Sequence, residues 1–208
     1  MELPRPKFLY FDLGMVLVTF TVERMCRQMG LAAGVAPEKV HEVVFDADLQ
    51  TRYERGEITT QEFYDAFCQR TGTCAEFDSL CSAASDIFEI NPSMLPVVAE
   101  LTQARWPMGI LSNTCECHWN HCLRRYRILE ESFRVYALSY ELGCAKPSPA
   151  IFQKAAELAG VAPAEIFYTD DVPGHVAGAR AAGFDAVVFT GPENLVAELR
   201  RRGVELSY

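Results

Sequence analysis

The sequence predicts an α/β fold in which a parallel sheet forms the core and a helical subdomain is inserted into it. Short apolar runs rich in β-branched or aromatic residues alternate with helical patterns, which is typical of a parallel sheet covered by helices. Roughly ninety residues with helical periodicity separate the first apolar run from the second, too many for a simple crossover. Polar residues follow several of the runs where each one ends. Together these observations indicate one core with a large insertion.

Five apolar runs are predicted to be buried strands. They lie at residues 8–11, 108–111, 135–138, 166–168 and 186–189. Each of the last four is followed by a helical pattern, at residues 119–128, 150–158, 175–182 and 192–201. This order predicts a Rossmann-like three-layer core with a parallel sheet.

Residues 17–92 are predicted to form a separate helical cap, and residues 1–16 and 93–208 the core. Within the cap, Pro37, Thr60 and Gly72 are typical of helix starts and stops. The segment has no convincing strand pattern. The stretch PSMLPVVAELTQA then predicts a helix that returns the chain to the sheet.

Composition excludes several classes of protein. The 208 residues are 50% apolar and 23% charged, which favours a compact fold over disorder. A net charge of −9 argues against a nucleic-acid partner. No apolar run approaches the roughly 18 residues of a membrane span, and the N-terminus lacks a signal-peptide pattern. We therefore expect a cytoplasmic protein, a monomer or homodimer, whose eight cysteines are reduced.

Chemistry-bearing side chains follow four of the predicted strands. The carboxyl ends of parallel strands meet at one edge of the sheet, so these side chains are expected to share one site. Clustered acids repel one another unless a hard cation such as Mg²⁺ neutralises them, and such a cation attracts phosphate. The side chains are those of Asp12, Ser112, Asn113, Thr114, Lys146, Asp170 and Asp171.

Four segments in order, FDLGMV, LSNT, AKPSPAIF and TDDVPGHVAGARAAG, resemble the motifs of the haloacid dehalogenase-like hydrolase superfamily. The resemblance spans the predicted core, and the insertion after the first motif resembles that family's helical cap. FDLG followed by an apolar residue and Val resembles a phosphatase branch that includes sugar-phosphate phosphatases. The resemblance implies a Mg²⁺-dependent phosphohydrolase whose partner is a small phosphorylated metabolite, with a sugar phosphate as first candidate.

The resemblance also implies a role for each matching residue. Asp12 would be the nucleophile that becomes an aspartyl phosphate. Ser112 and the backbone N–H of Asn113 would hold phosphoryl oxygens, and Lys146 would balance charge on Asp12 and the transferred group. The implied Mg²⁺ ligands are Asp12, the carbonyl of Gly14, Asp171 directly, and Asp170 either directly or through metal-bound water.

Gly14 departs from the family pattern, which has a second Asp at this position to protonate the leaving group. General acid–base help of this kind is worth roughly 10² to 10⁴ in rate. Three explanations fit: a substrate with a good leaving group, a weak catalyst whose phosphate site serves binding, or a replacement group. Water or a cap side chain would be the replacement, and the cap candidates are Tyr53, Glu54 and His41.

Two other classes of protein use similar residues. A 2-haloacid dehalogenase needs neither the second Asp nor Mg²⁺, but the paired acids Asp170 and Asp171 favour a metal. A receiver-type signalling domain clusters similar groups in a different chain order and has no cap. A catalytically weak phosphate-binding protein also fits the motifs.

Further residues are candidates on weaker grounds. Arg52, Tyr53 and Arg55 of the cap and His175 after Asp171 are candidates for contacting the non-reacting part of the substrate. The stretch CECHWNHC, residues 115–122, carries five possible zinc ligands. All five lie in one segment, whereas zinc sites usually join distant segments, so starting a phosphate-facing helix is the favoured interpretation.

Overall fold

The computed structural model describes residues 4–207. Within them the chain forms seven strands and twelve α-helices. The strands are β1 (Phe8–Phe11), β2 (Val18–Thr19), β3 (Glu89–Ile90), β4 (Met108–Ser112), β5 (Val135–Leu138), β6 (Ile166–Asp170) and β7 (Asp185–Val188). The helices are α1 (Val22–Ala33), α2 (Pro37–His41), α3 (Leu49–Glu54), α4 (Thr60–Thr71), α5 (Phe77–Ser85), α6 (Leu95–Gln103), α7 (Glu116–Arg125), α8 (Ile128–Ser132), α9 (Ser139–Leu142), α10 (Pro149–Ala159), α11 (Pro173–Ala181) and α12 (Pro192–Arg200).

Five strands form a parallel sheet in the order β5-β4-β1-β6-β7. The predicted α/β core with a parallel sheet is therefore confirmed. Successive residues of β1 point to opposite faces: Leu9 and Phe11 pack in one apolar cluster, Phe8 and Tyr10 in the other. Burial on both faces explains why these strands are continuous apolar runs in the sequence.

The helices α1 to α5 lie between β2 and β3. Their ends carry ordinary capping signals: the Thr21 side chain accepts from the Arg24 N–H, and Thr59 with Glu62 forms a capping box. The left-handed glycines Gly34 and Gly72 end α1 and α4. A π-helical turn, Glu42–Asp46, follows α2 directly.

The expectation that the insertion contains no strand was wrong. β2 and β3 pair antiparallel, Val18 with Ile90 and Thr19 with Glu89. This ribbon brings the two ends of the segment that carries α1 to α5 together. Strands of two residues are too short for an alternating pattern, so periodicity misses them.

The predicted helix at 119–128 begins earlier in the structure, at Glu116. Residue 128 instead starts the separate helix α8. Among residues 4–207, no helix combines the length and hydropathy needed to cross a bilayer.

Candidate active site

Three adjacent strands, β4, β1 and β6, bring polar side chains to one edge of the sheet. Ser112 ends β4, Asp12 follows β1, and Asp170 ends β6. All three are buried. The Asp12 backbone N–H donates to the Thr169 carbonyl (3.0 Å), which holds the first residue after β1 beside β6. The edge is the place where open α/β sheets carry their sites.

Lys146 lies between two of these carboxylates. Its Nζ is 2.9 Å from Asp12 Oδ1 and 2.7 Å from Asp170 Oδ2. It also donates to the Leu111 carbonyl (3.1 Å) and the Tyr168 hydroxyl (3.0 Å). Burial alone would lower the pKa of Lys146, but the two carboxylates raise it above its usual value. The ammonium is therefore held in its charged form.

Asn113 fixes the backbone around Lys146. Its Oδ1 accepts from the Lys146 N–H (2.8 Å), and its Nδ2 donates to the Lys146 carbonyl (3.0 Å). The side chain of Asn113 thus connects the end of β4 to the loop before α10. Its backbone N–H is a separate group, which stays a predicted phosphate donor.

The two neighbouring acids after β6 have different surroundings. Asp170 is fully buried and is contacted by Lys146, by the Tyr168 hydroxyl, by the Val172 N–H (2.8 Å) and by His175 Nδ1 (3.1 Å). Burial raises the pKa of Asp170, but the contacts with His175 and Lys146 outweigh it and lower the pKa. Asp171 is half-buried. Burial and the charge of Asp170 raise the pKa of Asp171.

Asp12 carries charge that the protein does not fully compensate. Burial raises its pKa to about 6, with Asp170 adding to the rise and Lys146 opposing it. One oxygen each of Asp12 and Asp170 and one nitrogen of His175 lie within 4.8 Å of one another. Oxygen donors with excess negative charge are the surroundings that a hard divalent cation prefers. Asp12 and Asp170 thus offer oxygen donors that fit Mg²⁺, and Asp171 stays a predicted ligand.

A narrow cavity of about 70 Å³ adjoins this edge of the sheet. From the core it is lined by Leu13, Gly14, Ser112, Asn113, Thr114 and His118. From the segment between β2 and β3 it is lined by Phe20, Val22, Met25, Phe45, Gln50, Glu54, Ile87 and Phe88. The residues from this segment are mostly apolar, with Gln50 and Glu54 as the polar exceptions.

Glu54 places a carboxyl group in this cavity. It is the last residue of α3 and accepts from Gln50 Nε2 (2.9 Å). Its backbone carbonyl accepts from the Ser139 hydroxyl (2.5 Å), which joins α3 to α9 of the core. Burial raises the pKa of Glu54, with the Gln50 hydrogen bond and the charges of His118 and Lys146 opposing the rise.

The other two predicted replacements for the missing acid lie elsewhere. Tyr53 is buried outside the cavity lining; its hydroxyl bonds with the Thr60 hydroxyl (2.7 Å) and accepts from the Cys117 N–H (3.2 Å). His41 lies 3.3 Å from Asp46 and half exposed. Of Tyr53, Glu54 and His41, the structure brings only Glu54 to the cavity.

Two arginines predicted as substrate contacts lie at the surface. Arg52 and Arg55 both contact Glu57, at 3.6 and 3.8 Å, and neither lines the cavity. His175 does lie at the strand ends, against Asp170. The substrate roles of Arg52, Tyr53 and His175 stay predictions.

The stretch at 115–122 divides between two surroundings. Cys115, Cys117 and His118 offer donor atoms within 4.8 Å of one another. His121 instead lies 3.8 Å from Asp86, and Cys122, like Cys115, is buried in the larger apolar cluster.

Sequence reasoning missed Tyr168 and Gln50. Tyr168 precedes Asp170 by two residues in β6, so both side chains lie on the same face of the sheet. The two-residue spacing within a predicted strand would have indicated that the Tyr168 side chain lies beside that of Asp170. Gln50 precedes Glu54 by one helical turn, but nothing in the sequence says that this face of α3 meets the core.

Gly14 leaves little room for the absent aspartate. A Cβ built on Gly14 would lie 3.1 Å from Phe20 Cε1. The Phe20 ring thus packs against the position where the family's second acid would begin.

Comparison with known proteins gives the family and the fold. The family model for haloacid dehalogenase-like hydrolases matches residues 19–183. A Mycobacterium tuberculosis protein, Phosphatase MT3486, is 30% identical over 95 residues, which are 46% of this chain and 44% of that protein. The chain therefore spans less than half the length of that relative.

Solved structures share the fold. The HAD family enzyme bt-2542 from Bacteroides thetaiotaomicron, in complex with magnesium and inorganic phosphate, has a TM-score of 0.77 at 27% identity, covering 89% of this chain and 95% of that chain. The L-2-haloacid dehalogenase from Xanthobacter autotrophicus has a TM-score of 0.65 at 22% identity, covering 96% and 84%, a likeness of fold alone. Because the family model covers most of the chain, this protein belongs to the haloacid dehalogenase-like hydrolases.

Proposed function

We propose that this hydrolase is a Mg²⁺-dependent phosphatase that acts on a small phosphorylated metabolite through an aspartyl phosphate. The observation that carries the proposal is Lys146, whose ammonium lies within 2.9 Å of two buried carboxylates at the strand ends. The magnesium and phosphate bound by bt-2542 support it, as does the similarity to Phosphatase MT3486.

The metal would be held by oxygen atoms of Asp12, Asp171 and the Gly14 carbonyl, with Asp170 as a direct ligand or an acceptor for metal-bound water. Bound Mg²⁺ would neutralise phosphoryl oxygens and bring them to Asp12. Asp170 already bonds with Lys146, Tyr168 and the Val172 N–H, which favours the orienting role for it.

The side chains of the core would carry out the transfer. A carboxylate oxygen of Asp12 attacks phosphorus, and the bond from phosphorus to the leaving oxygen breaks. The Ser112 hydroxyl and the Asn113 N–H donate to phosphoryl oxygens, while Lys146 stabilises the charge between Asp12 and the transferred group. Water then attacks the phosphorus of the aspartyl phosphate, which releases phosphate and restores the Asp12 carboxylate.

Glu54 would supply the proton that Gly14 cannot. It is the acid that the segment between β2 and β3 contributes to the cavity lining. Burial raises its pKa, so a larger fraction of Glu54 is protonated near neutral pH than of an exposed glutamate. Protonated Glu54 donates to the leaving oxygen, and its carboxylate then accepts a proton from the attacking water.

The cavity lining favours a sugar phosphate as substrate. Gln50 offers a polar group for hydroxyls, while Phe20 and Phe88 offer apolar surface for the carbon face of a sugar ring. We further propose residues 17–92 as the cap and residues 1–16 with 93–208 as the core. In this division the cap carries most of the side chains that contact the non-reacting part of the substrate.

A haloacid dehalogenase is the second candidate, and the fold is compatible with it. The acid pair argues against it, because Asp12 is left with uncompensated charge that a metal would neutralise.

The test is phosphate release from a panel of sugar phosphates and one aryl phosphate, with Mg²⁺ or with chelator. We expect Mg²⁺-dependent release that Asp12→Asn lowers by at least about 10³-fold, since the amide keeps the shape and loses the nucleophile. Asp65→Asn, at an exposed position in α4, is the matched control. Release by Asp12→Asn at the rate of the unaltered protein would contradict the mechanism.

A further inference from the structure

Two cysteines and a histidine meet at the start of α7. They are distinct from the oxygen ligands proposed for Mg²⁺ around Asp12, which are called the oxygen-ligand site below. Cys115 is the residue before α7 and is fully buried, Cys117 is half-buried, and His118 is 7% exposed. Their Sγ and ring nitrogen atoms lie within 4.8 Å of one another. We propose that Cys115, Cys117 and His118 bind a thiophilic divalent cation, Zn²⁺ by its chemistry, through side chains other than the oxygen ligands proposed for Mg²⁺.

The sulfur separation carries the inference. Cys115 Sγ and Cys117 Sγ are 3.7 Å apart. Two thiolates at about 2.3 Å from one tetrahedral zinc ion are separated by about 3.8 Å, so the pair already has the required spacing. A disulfide would need about 2.05 Å between the sulfurs, and both cysteines are free.

The local backbone explains why adjacent residues converge here. Cys115 has an extended conformation (φ −121°, ψ 166°), and the helix begins at the next residue. The change from extended to helical backbone turns the Cys115 side chain toward that of Cys117. A C-x-C pair inside a regular helix would point to different faces.

The surroundings support a metal-ligand role. Gln50 Nε2 donates to Cys115 Sγ (3.9 Å), and the Tyr53 hydroxyl accepts from the Cys117 N–H. Such neighbours orient ligands in metal sites. Three protein ligands leave one tetrahedral position for water or an exogenous group.

A second cavity, of about 330 Å³ between α5 and α7, reaches one member of this cluster, Cys117. Cys117 lines it, and so do the carboxylates of Asp78 and Glu116. Ser85 lines it as well.

The two proposed metal sites differ in chemistry. Thiolate and imidazole ligands prefer Zn²⁺, whereas carboxylate and carbonyl oxygens prefer Mg²⁺. Excess Mg²⁺ is therefore not expected to displace zinc from the cysteines, and loss of the Asp12 carboxylate is not expected to weaken zinc binding.

The experiment is a titration of the reduced protein with Co²⁺ and then Zn²⁺, in excess Mg²⁺, followed by absorption. We expect a thiolate-to-cobalt charge-transfer band that saturates at one ion per protein and disappears when Zn²⁺ is added. Cys115→Ser and Cys117→Ser are expected to lose the band. Cys74→Ser, which changes an exposed cysteine outside the cluster, is the matched control and keeps it.

Absence of a saturable band in the unaltered protein would overturn the proposal, as would a band of full size in both cluster variants. Circular dichroism establishes that each variant is folded. Where a variant is not folded, cadmium NMR of the unaltered protein decides, because the chemical shift of bound ¹¹³Cd²⁺ reports thiolate ligands. Asp12→Asn separates the two proposals, since it is expected to lose phosphatase activity and to keep the cobalt band.

Discussion

Asp12 and Asp170 are both aspartates, but their surroundings shift their pKa values in opposite directions. Burial raises the pKa of both, but Asp170 has contacts from Lys146, Tyr168 and His175 that lower it again. Asp12 has Lys146 and its neighbour's N–H, and its pKa is about 6. Asp170 is therefore a fixed anion. Of the two, Asp12 is the carboxylate that would gain more from a cation, as expected for the proposed nucleophile held by Mg²⁺.

Glu54→Gln tests the proposed proton donor. The amide keeps the size and cannot give up a proton. We expect kcat on sugar phosphates to fall by about 10²-fold or more, with a much smaller loss on an aryl phosphate, whose leaving group needs little protonation. The measurement is kcat for both substrates. Glu57→Gln changes an exposed acid three residues away and is the control.

An equal loss on both substrates would contradict the proton-transfer role and would instead indicate a binding or structural role for Glu54.

Gly14→Asp tests the same proton transfer by placing an acid at the position where the family has its second Asp. In the unaltered background we expect little gain, because Glu54 is proposed to supply the proton. In the Glu54→Gln background we expect recovery of at least about tenfold. The new Cβ would lie 3.1 Å from Phe20 Cε1, so the ring must shift by a few tenths of an ångström.

Gly14→Asn in the same background controls for that packing change. Recovery by Asn as large as that by Asp would rule out a regained acid.

At the scale of elements, the end of α3 is where the inserted helices contact the core. The Ser139 hydroxyl donates to the Glu54 carbonyl, and Gly56 follows with φ +67°. A Cβ on Gly56 would lie 2.1 Å from the Tyr140 carbonyl oxygen. The contact is backbone to backbone, so only glycine allows it.

Gly56→Ala is expected to separate α3 from α9. A positive φ costs alanine about 1–2 kcal/mol, and the contact with Tyr140 raises the loss in the free energy of unfolding to about 3 kcal/mol. Because Glu54 lies two residues away, kcat is expected to fall as well. Urea unfolding and steady-state kinetics measure the two effects.

Gly34→Ala is the matched control for this contact. Gly34 has φ +70° and nothing within 4 Å of a built Cβ, so only the backbone cost of about 1 kcal/mol is expected. Equal losses of stability in Gly56→Ala and Gly34→Ala would contradict the proposed role of the contact.

Sequence patterns predicted the core and the strand-end residues because both follow from local periodicity. β1 and β5 lie at the predicted residues. Asp12, Ser112 and Asp170 meet because parallel strands end at one edge. Which of Tyr53, Glu54 and His41 reaches the cavity was not predictable in this way. Tyr53 and Glu54 are neighbours in α3 and point in different directions, and local spacing does not say which face of α3 packs toward the cavity.

At the scale of the whole molecule, the larger apolar cluster is continuous from the sheet to the inserted helices. It includes Leu9 and Phe11 of β1 together with Met25 of α1, Tyr53 of α3 and Phe63 of α4. The candidate cavity is lined from both parts as well. A ligand that fills it therefore stabilises contacts across the molecule rather than within one segment.

Inorganic phosphate with Mg²⁺ is accordingly expected to raise the thermal unfolding midpoint of the whole chain in one transition. At a ligand concentration about 100 times the Kd, binding adds about 2.7 kcal/mol. For a chain of this length that shifts the midpoint by about 5–10 °C. Scanning calorimetry with Mg²⁺ and phosphate together, with each alone, and with chelator measures the effect. Ser112→Ala, which removes one predicted phosphate contact, is expected to reduce the shift. A midpoint raised equally by phosphate in the presence of chelator would show that phosphate binds without the metal, and the oxygen-ligand site proposed around Asp12 would then be wrong.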